Sequence, residues 1–292
     1  SICKLSQPGI QKIKQNNSAQ NTYQKEGETG MEQWQRKWGV SGSTLKLIAV
    51  ITMIIDHTAA GILGRYLSIS GLNNLNNGNM AEIQQWLDQN AQLFAVYNVM
   101  RMIGRLAFPI YCFLMVEGLK HTHNKLKYAV RLLAFAAISE VPFDLLFHGK
   151  ILEFSYQNVF FTLFIGFLVM VGIQWAQEHL KNNLAPQILV IAAVIVAGMA
   201  AAHFANTDYA AIGILCMVTL YLFRKKKVWQ IVAGCIVFAW EVAAPLAFVP
   251  IGFYNGKRGW KLKYFFYLVY PVHLLLLYLI CVALGIASYS AL

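Results

Sequence analysis

Leu45-Lys-Leu-Ile-Ala-Val-Ile-Thr-Met-Ile-Ile-Asp-His-Thr-Ala-Ala-Gly-Ile-Leu-Gly runs on to Arg65 as one apolar stretch, and its reading decides the fold class. A helix needs about 20 such residues to cross the hydrocarbon core of a bilayer. The run is continuous rather than alternating, so it predicts a helix and not a barrel strand. Lys46 and His57 stand eleven positions apart within it. That is close to three helical turns, so the two side chains fall on nearly one face, roughly 16 Å apart along the axis. Asp56 points about 100° away from its neighbour His57 around the helix, which makes it a poor direct partner. Charge in hydrocarbon costs several kcal/mol unless it is sheltered, so three ionisable groups here call for a reason.

The rest of the chain extends this reading. Its 292 residues are 58% hydrophobic and only 13% charged, with a mean hydropathy of +0.50. A soluble domain would carry about 25% charged residues. Apolar segments fall at about 45–67, 97–118, 127–147, 158–176, 187–205, 209–223, 228–250 and 264–287. They predict an all-α, polytopic membrane bundle of about eight transmembrane or re-entrant segments, occupying residues 41–292 as a single domain. The net charge of +11 lies mostly in short clusters beside apolar runs, at His121 to Lys127, Arg224 to Lys227 and Lys257 to Lys263. That pattern encodes topology in a lipid bilayer and argues against nucleic acid. The five cysteines show no CxxC pairing and read as packing residues, so neither a metal nor a disulfide set is expected.

Residues 1–40 form a polar tail. Two readings stay open: a disordered cytoplasmic tail, or a stretch upstream of a native start at Met31. The Arg36-Lys37 flank puts the N-terminus in the cytoplasm of a bacterial cytoplasmic (inner) membrane. The Asn-rich loop Ser68 to Ala91 then lies outside, Lys120 to Lys127 inside, Phe147 to Asn158 outside, Glu178 to Lys181 inside, Asn206 to Asp208 outside and Arg224 to Lys227 inside. Segment 228–250 breaks the pattern, because a single crossing would leave the basic loop Asn255 to Lys263 outside. Either it is re-entrant, broken near Glu241, Pro245 or Pro250, or the outer loop serves an anion.

The embedded polar residues carry the chemistry. Arg101 and Arg105 share one helical face, as do Glu140 and Asp144; Glu117, Asn158, Glu241 and His273 stand in or at the edge of apolar runs. A structural reading makes them an ion-pair network, for instance Arg105 with Asp144. As a set they point to a reaction site or a pathway. A neutral imidazole suits His57 for general-base work on an amine or hydroxyl, with Asp144 or Glu140 from another helix orienting it. The arginines, with their two-pronged guanidinium groups, suit phosphate.

Six stretches carry a resemblance. They are Leu45 to His57, Arg101-Met-Ile-Gly-Arg-Leu-Ala-Phe-Pro-Ile, Ile138-Ser-Glu-Val-Pro-Phe-Asp, Asn158-Val-Phe-Phe-Thr, Tyr254-Asn-Gly-Lys-Arg-Gly and Phe265-Phe-Tyr-Leu-Val-Tyr-Pro-Val-His-Leu. In order, over about 40–290, they resemble the TraX family, named for a conjugation protein that acetylates the pilin N-terminus. The chain is also similar to the type-3 membrane acyltransferases, whose first helix carries an Arg/Lys-x10-His motif that Lys46 and His57 fit. Those enzymes have about ten helices, against the eight segments here. The resemblance implies acetyl transfer from acetyl-CoA to an acceptor peptide, sugar or small molecule. It makes His57 essential and Lys46 supporting, and Arg101, Arg105, Glu140, Asp144, Asn255, Lys257, Arg258 and His273 match family motif positions. Side-chain chemistry then suits Asp144 and Glu140 as catalytic carboxylates and Lys46, Arg101, Arg105, Asn255, Lys257 and Arg258 as donor-binding residues. Two rivals stand beside it. A proton-coupled transporter would use Asp56, His57, Glu140 and Asp144 as a proton path; a non-catalytic pilus or export assembly factor would tolerate loss of His57.

Overall fold

The computed structural model describes residues 39–72, 79–260 and 263–289. The polar tail, its Arg36-Lys37 flank, the Met31 start and Cys3 lie outside the described residues. Helix α1 (Gly42–Thr58) starts at Ser41, whose hydroxyl accepts from Thr44 N. It passes through a π-helical turn, Ala59–Leu63, directly into α2 (Gly64–Ile69). The other α-helices among the described residues are α3 (Met80–Gly104), α4 (Ala107–Lys120), α5 (Lys125–His148), α6 (Val159–His179), α7 (Leu184–Phe204), α8 (Ala210–Leu222), α9 (Lys227–Val237), α10 (Phe248–Gly252) and α11 (Lys263–Ala283). The protein is an all-α polytopic membrane bundle, as its composition requires.

Five stretches of helix are long and apolar enough to cross a bilayer, among the described residues: Gly42–Ile69, Met80–Lys120, Val159–His179, Leu184–Phe204 and Phe265–Ala283. Helix α5 is as long but carries Lys125, Lys127, Arg131, Glu140 and Asp144. At 13 and 11 residues, α8 and α9 fall short of the roughly 20 that a crossing takes.

Two expectations change. The Asn-rich loop ends earlier than its polarity suggests, because α3 begins at Met80. Asn79 caps Glu82 N, and the Glu82 side chain returns to Asn79 N in a reciprocal capping box. Trp86 is buried and donates to Ser70 O at 3.0 Å, which ties this polar helical stretch to the end of α2. Segment 228–250 resolves as the re-entrant alternative. Its helix α9 stops at Val237, turns lead to the short 3-10 helix Ala244–Ala247, and α10 follows. Gly234 permits the fold-back, since a Cβ there would come within 2.2 Å of Phe248. Lys227 Nζ donates to Tyr254 O at 2.7 Å, so the hairpin enters and leaves at one end of the bundle.

The two ends differ in charge. At the first, Val40 N donates to Phe253 O, Gly42 N to Lys257 O and Ser43 N to Arg258 O. Arg224 Nη2 reaches Gln177 Oε1 at the same end. This basic end gathers the loops that carry His121 to Lys127, Arg224 to Lys227 and Lys257-Arg258. At the other end Gln157 bridges Thr207 and Arg65 Nε reaches Tyr289 O. Its loops at 149–158 and 205–209 contain Lys150, Glu153 and Asp208.

Candidate functional site

His57 sits on the last turn of α1, immediately before the π-helical turn, and lines a cavity of about 290 Å³ in the half of the bundle away from the basic end. The walls are largely aromatic: Phe108, Tyr111, Phe143, Phe147, Tyr209 and Tyr270. Arg101, Arg105, Asp56 and Asp208 supply its charge, and His148 and Tyr156 stand at the loop side. A π-turn displaces one carbonyl from the helical ladder and is often found beside functional residues. Here Gly61 O accepts from Arg65 Nη1 at 2.9 Å, and this fully buried arginine also donates to Tyr289 O.

The arginines enter because α3 ends at Gly104 and the chain bends through Arg105-Leu106 before α4. Arg101 Nη1 meets Asp56 Oδ2 at 2.6 Å, and Arg105 Nε meets Glu241 Oε2 at 3.0 Å. The break after α9 is what carries Glu241 to Arg105. Gly104 lies between the two arginines, where a Cβ would stand 2.2 Å from Asp56 Oδ1. Asp56 can therefore reach Arg101 only because residue 104 has no side chain. Its second oxygen, Oδ1, is buried and has no hydrogen-bond partner among the described residues.

The expected orienting carboxylate is displaced. His57 Nδ1 lies 2.7 Å from Nε2 of His273 on α11, whose own Nδ1 lies 2.7 Å from Val269 O. Glu140 and Asp144 do lie on one buried face of α5, but they face the start of α6 and its preceding loop. Glu140 accepts from the side chain and backbone N of Asn158, and Asp144 accepts from Glu153 N at 2.8 Å. Asn158 also donates to Ala136 O at 2.9 Å and caps α6 through Phe160 N, so it joins two helices. The structural pairing of Arg105 with Asp144 is likewise replaced by Arg105–Glu241, because Asp144 lies outside the cavity wall.

The proposed donor-binding residues divide. Arg101 and Arg105 are in the cavity, whereas Lys46, Asn255, Lys257 and Arg258 are at the basic end. Lys46 Nζ stands 5.5 Å from the centre of the Phe266 ring. Asn255 Nδ2 donates to Gly39 O, and its Oδ1 accepts from Lys257 N, shaping the loop under the exposed Lys257 and Arg258 side chains. Glu117 Oε2 lies 3.8 Å from His121 Nε2. Cys112, Cys216, Cys235 and Cys281 are free thiols, and no metal-binding cluster occurs among the described residues.

Several lining residues carry no mark in the sequence. Tyr209, with φ +63°, stacks on Phe108 with ring centres 3.7 Å apart. Asn206 and Ala210 also have positive φ, so three non-glycine residues near one cavity wall hold an uncommon backbone. Gln157 clamps this turn, accepting from Asp208 N and donating to Asn206 O. Thr162 donates to Asp208 O, and Tyr156 OH donates to Asp208 Oδ1 at 2.6 Å. Burial pushes the Asp208 carboxyl up to about 6. On the neighbouring loop the hydrogen bond from Lys150 holds the Glu153 carboxyl down to about 2. Asp208 had a signal, as the one acid of a short loop, but nothing local connects it to His57.

The family described as TraX protein matches residues 41–281, a span that includes α1, both cavity arginines and His273. The chain belongs to the TraX family. It is also 28% identical over 265 residues to the probable fimbrial assembly protein FimC, serogroup H1, of Dichelobacter nodosus, covering 81% of this chain and 94% of that one. No solved structure matches it.

Proposed function

We propose that this TraX-family protein is a membrane-embedded acetyltransferase that moves an acetyl group from acetyl-CoA to an amine. The supporting observation is His57, held by a second histidine, on the wall of an aromatic cavity whose Asp56 Oδ1 has no hydrogen-bond partner among the described residues. Asp56 and Asp208 give the cavity two carboxylates that attract an ammonium group, and aromatic faces favour the same ligand. An amine is therefore the better match to this wall than a sugar hydroxyl. The N-terminus of a fimbrial subunit is the acceptor that the family and its fimbrial-assembly relative suggest.

In the reaction the acceptor ammonium gives one proton to solvent, the neutral nitrogen then forms a bond to the thioester carbonyl carbon, and the carbon–sulfur bond breaks. The nitrogen's proton passes to His57 and from there to the departing thiolate. Arg101 and Arg105 stand where they can stabilise charge on the carbonyl oxygen. The cavity, at about 290 Å³, takes the acetyl thioester and the amine but not a whole coenzyme. Lys46, Lys257 and Arg258 offer cations for the phosphates at the basic end, which the positive-inside rule places in the cytoplasm.

The test is transfer from labelled acetyl-CoA to a peptide, using purified protein in lipid nanodiscs. Transfer to a peptide with a free N-terminus, lost when that terminus is blocked and lost in His57→Ala, is expected. Normal transfer by His57→Ala would overturn the mechanism. The relative's name favours one other reading, a non-catalytic assembly factor. That reading gains if the wild type transfers no acetyl while His57→Ala still restores fimbriation to cells lacking the protein.

A further inference from the structure

His57 and His273 lie 216 positions apart, yet their rings meet edge to edge. The ring centres are 5.0 Å apart and the planes differ by 5°. With N···N at 2.7 Å, this is an in-plane hydrogen bond rather than a face-to-face stack. The direction of that bond follows from its far end. Val269 O is a carbonyl and can only accept, so the Nδ1 of His273 that lies 2.7 Å from it carries a hydrogen. A neutral imidazole has one N–H and one lone pair, so His273 Nε2 is the acceptor. His57 Nδ1 must then be the donor, which leaves the lone pair of His57 on Nε2.

The surroundings keep the pair in this arrangement. Tyr270 sets its edge against both rings, with centres 5.8 Å from His57 and 5.6 Å from His273. Phe147 packs edge-on to His57 at 5.6 Å. Phe147 has no acceptor atom, and the Tyr270 ring is turned 73° from the plane of His57. His273 is itself 7% exposed and does not line the cavity, so it stands behind His57 and away from a ligand.

We infer that His273 is a positioning residue, which fixes His57 in the Nδ1–H tautomer and so presents the Nε2 lone pair to the acceptor. Val269 O, His273 and His57 form a directional chain in which each group sets the protonation of the next. Free neutral histidine favours hydrogen on Nε2, the form that could not accept the amine proton there. The sequence motif that pairs Lys46 with His57 is silent on this requirement. The inference rests on the acetyltransferase reading for its consequence but not for its geometry.

Nitrogen-15 NMR of histidine-labelled protein in nanodiscs tests the geometry, with His57 assigned by its absence from His57→Ala. The wild type is expected to carry hydrogen on Nδ1 of both His57 and His273. In His273→Leu, His57 should move to the Nε2–H form. Acetyl transfer by that variant should fall in kcat by about 10–100-fold, as loss of an orienting partner does elsewhere, with both KM values held. His273→Gln, whose side-chain oxygen can accept from Nδ1, should restore the tautomer and most of the rate. An Nε2–H signal from His57 in the wild type would overturn the inference. So would a His273→Leu protein that keeps the Nδ1–H form, or a rate loss that glutamine leaves uncorrected while it restores the tautomer. Absence of acetyl transfer by the wild type would instead sink the acetyltransferase reading and leave the NMR result to stand or fall separately.

Discussion

The two ends of α1 handle positive charge in opposite ways. Near its start, Lys46, Lys257 and Arg258 gather around a loop held by main-chain bonds, Gly42 N to Lys257 O and Ser43 N to Arg258 O. The loop's own lysine and arginine side chains are exposed. Near the helix end the two cavity arginines are matched to carboxylates, Arg101 to Asp56 and Arg105 to Glu241, and the buried Arg65 is held by the carbonyls of Gly61 and Tyr289. Water solvates Lys257 and Arg258, so their charges need no partners, and main-chain bonds together with the Asn255 side chain shape the loop. Inside the bundle a guanidinium without partners would cost several kcal/mol, so helix breaks bring carboxylates to Arg101 and Arg105 and carbonyls to Arg65. The difference separates a surface that can attract a polyanion from a chamber with a fixed charge pattern.

The largest effect should come from the chamber. Gly104→Ala places a Cβ 2.2 Å from Asp56 Oδ1, which pushes Asp56 off Arg101 or α3 off α1. A displacement near 1 Å in a reaction site costs about 100-fold, so kcat/KM for acetyl transfer should drop by about that factor. A wild-type rate in this variant would show that the Asp56–Arg101 contact does not matter to the site. Next comes the pair itself. Asp56→Leu leaves Arg101 partly buried without its carboxylate and should cost about 1–3 kcal/mol of stability, read as a lower unfolding midpoint in detergent. Asp56→Leu with Arg101→Met should recover part of that loss, because it removes the stranded charge. Failure of the double variant to recover would break the contrast between matched and solvated cations.

Asp208 sharpens the comparison through pH. Its carboxyl is raised to about 6, so it is ionised at pH 7.5 and becomes neutral as pH falls through 6. The groups facing it are Tyr156, Tyr209, Tyr270, Asp56, Arg101 and Arg105. If it holds the acceptor ammonium, KM for the amine should rise as pH drops from 7.5 to 5.5. Asp208→Asn should raise that KM about tenfold at pH 7.5, the size of one charged hydrogen bond, and should flatten its pH dependence. An Asn variant that keeps the wild-type pH profile would assign the titration to another group.

Much of this frame was legible along the chain. The run from Leu45 gave α1 within a few residues at its start, because hydrocarbon leaves the backbone no alternative to a helix. The spacing of Arg101 and Arg105 correctly put both on one side, and the 100° offset correctly removed Asp56 as the partner of His57. Polarity hid the start of α3, although Asn79 and Glu82 stood at capping-box spacing. The sequence leaves the break in 228–250 between two readings, since the contact that it makes, Glu241 with Arg105, joins residues 136 positions apart. His273 was visible as a buried polar group but not as the partner of His57. Glu140 and Asp144 had the right chemistry for that role, yet Asn158 and Glu153 N already occupy them.

The smallest effect should come from the basic end, and it tests the other half of the contrast. Lys257 and Arg258 are exposed, so each contributes little to stability. Lys257→Ala with Arg258→Ala should leave the unfolding midpoint unchanged, because the loop is held by main-chain carbonyls that alanine also possesses. If these cations attract the phosphates of acetyl-CoA, the double variant should raise the donor KM severalfold and leave the acceptor KM alone. The difference should shrink as salt rises from 50 to 500 mM, since screening at high ionic strength removes most of an exposed attraction. A KM rise that persists at high salt would instead mean that the substitutions had moved the loop and, through Gly42 and Ser43, the start of α1. A fall in kcat without a change in donor KM would carry that displacement along α1 to His57, and the two ends would no longer be separable.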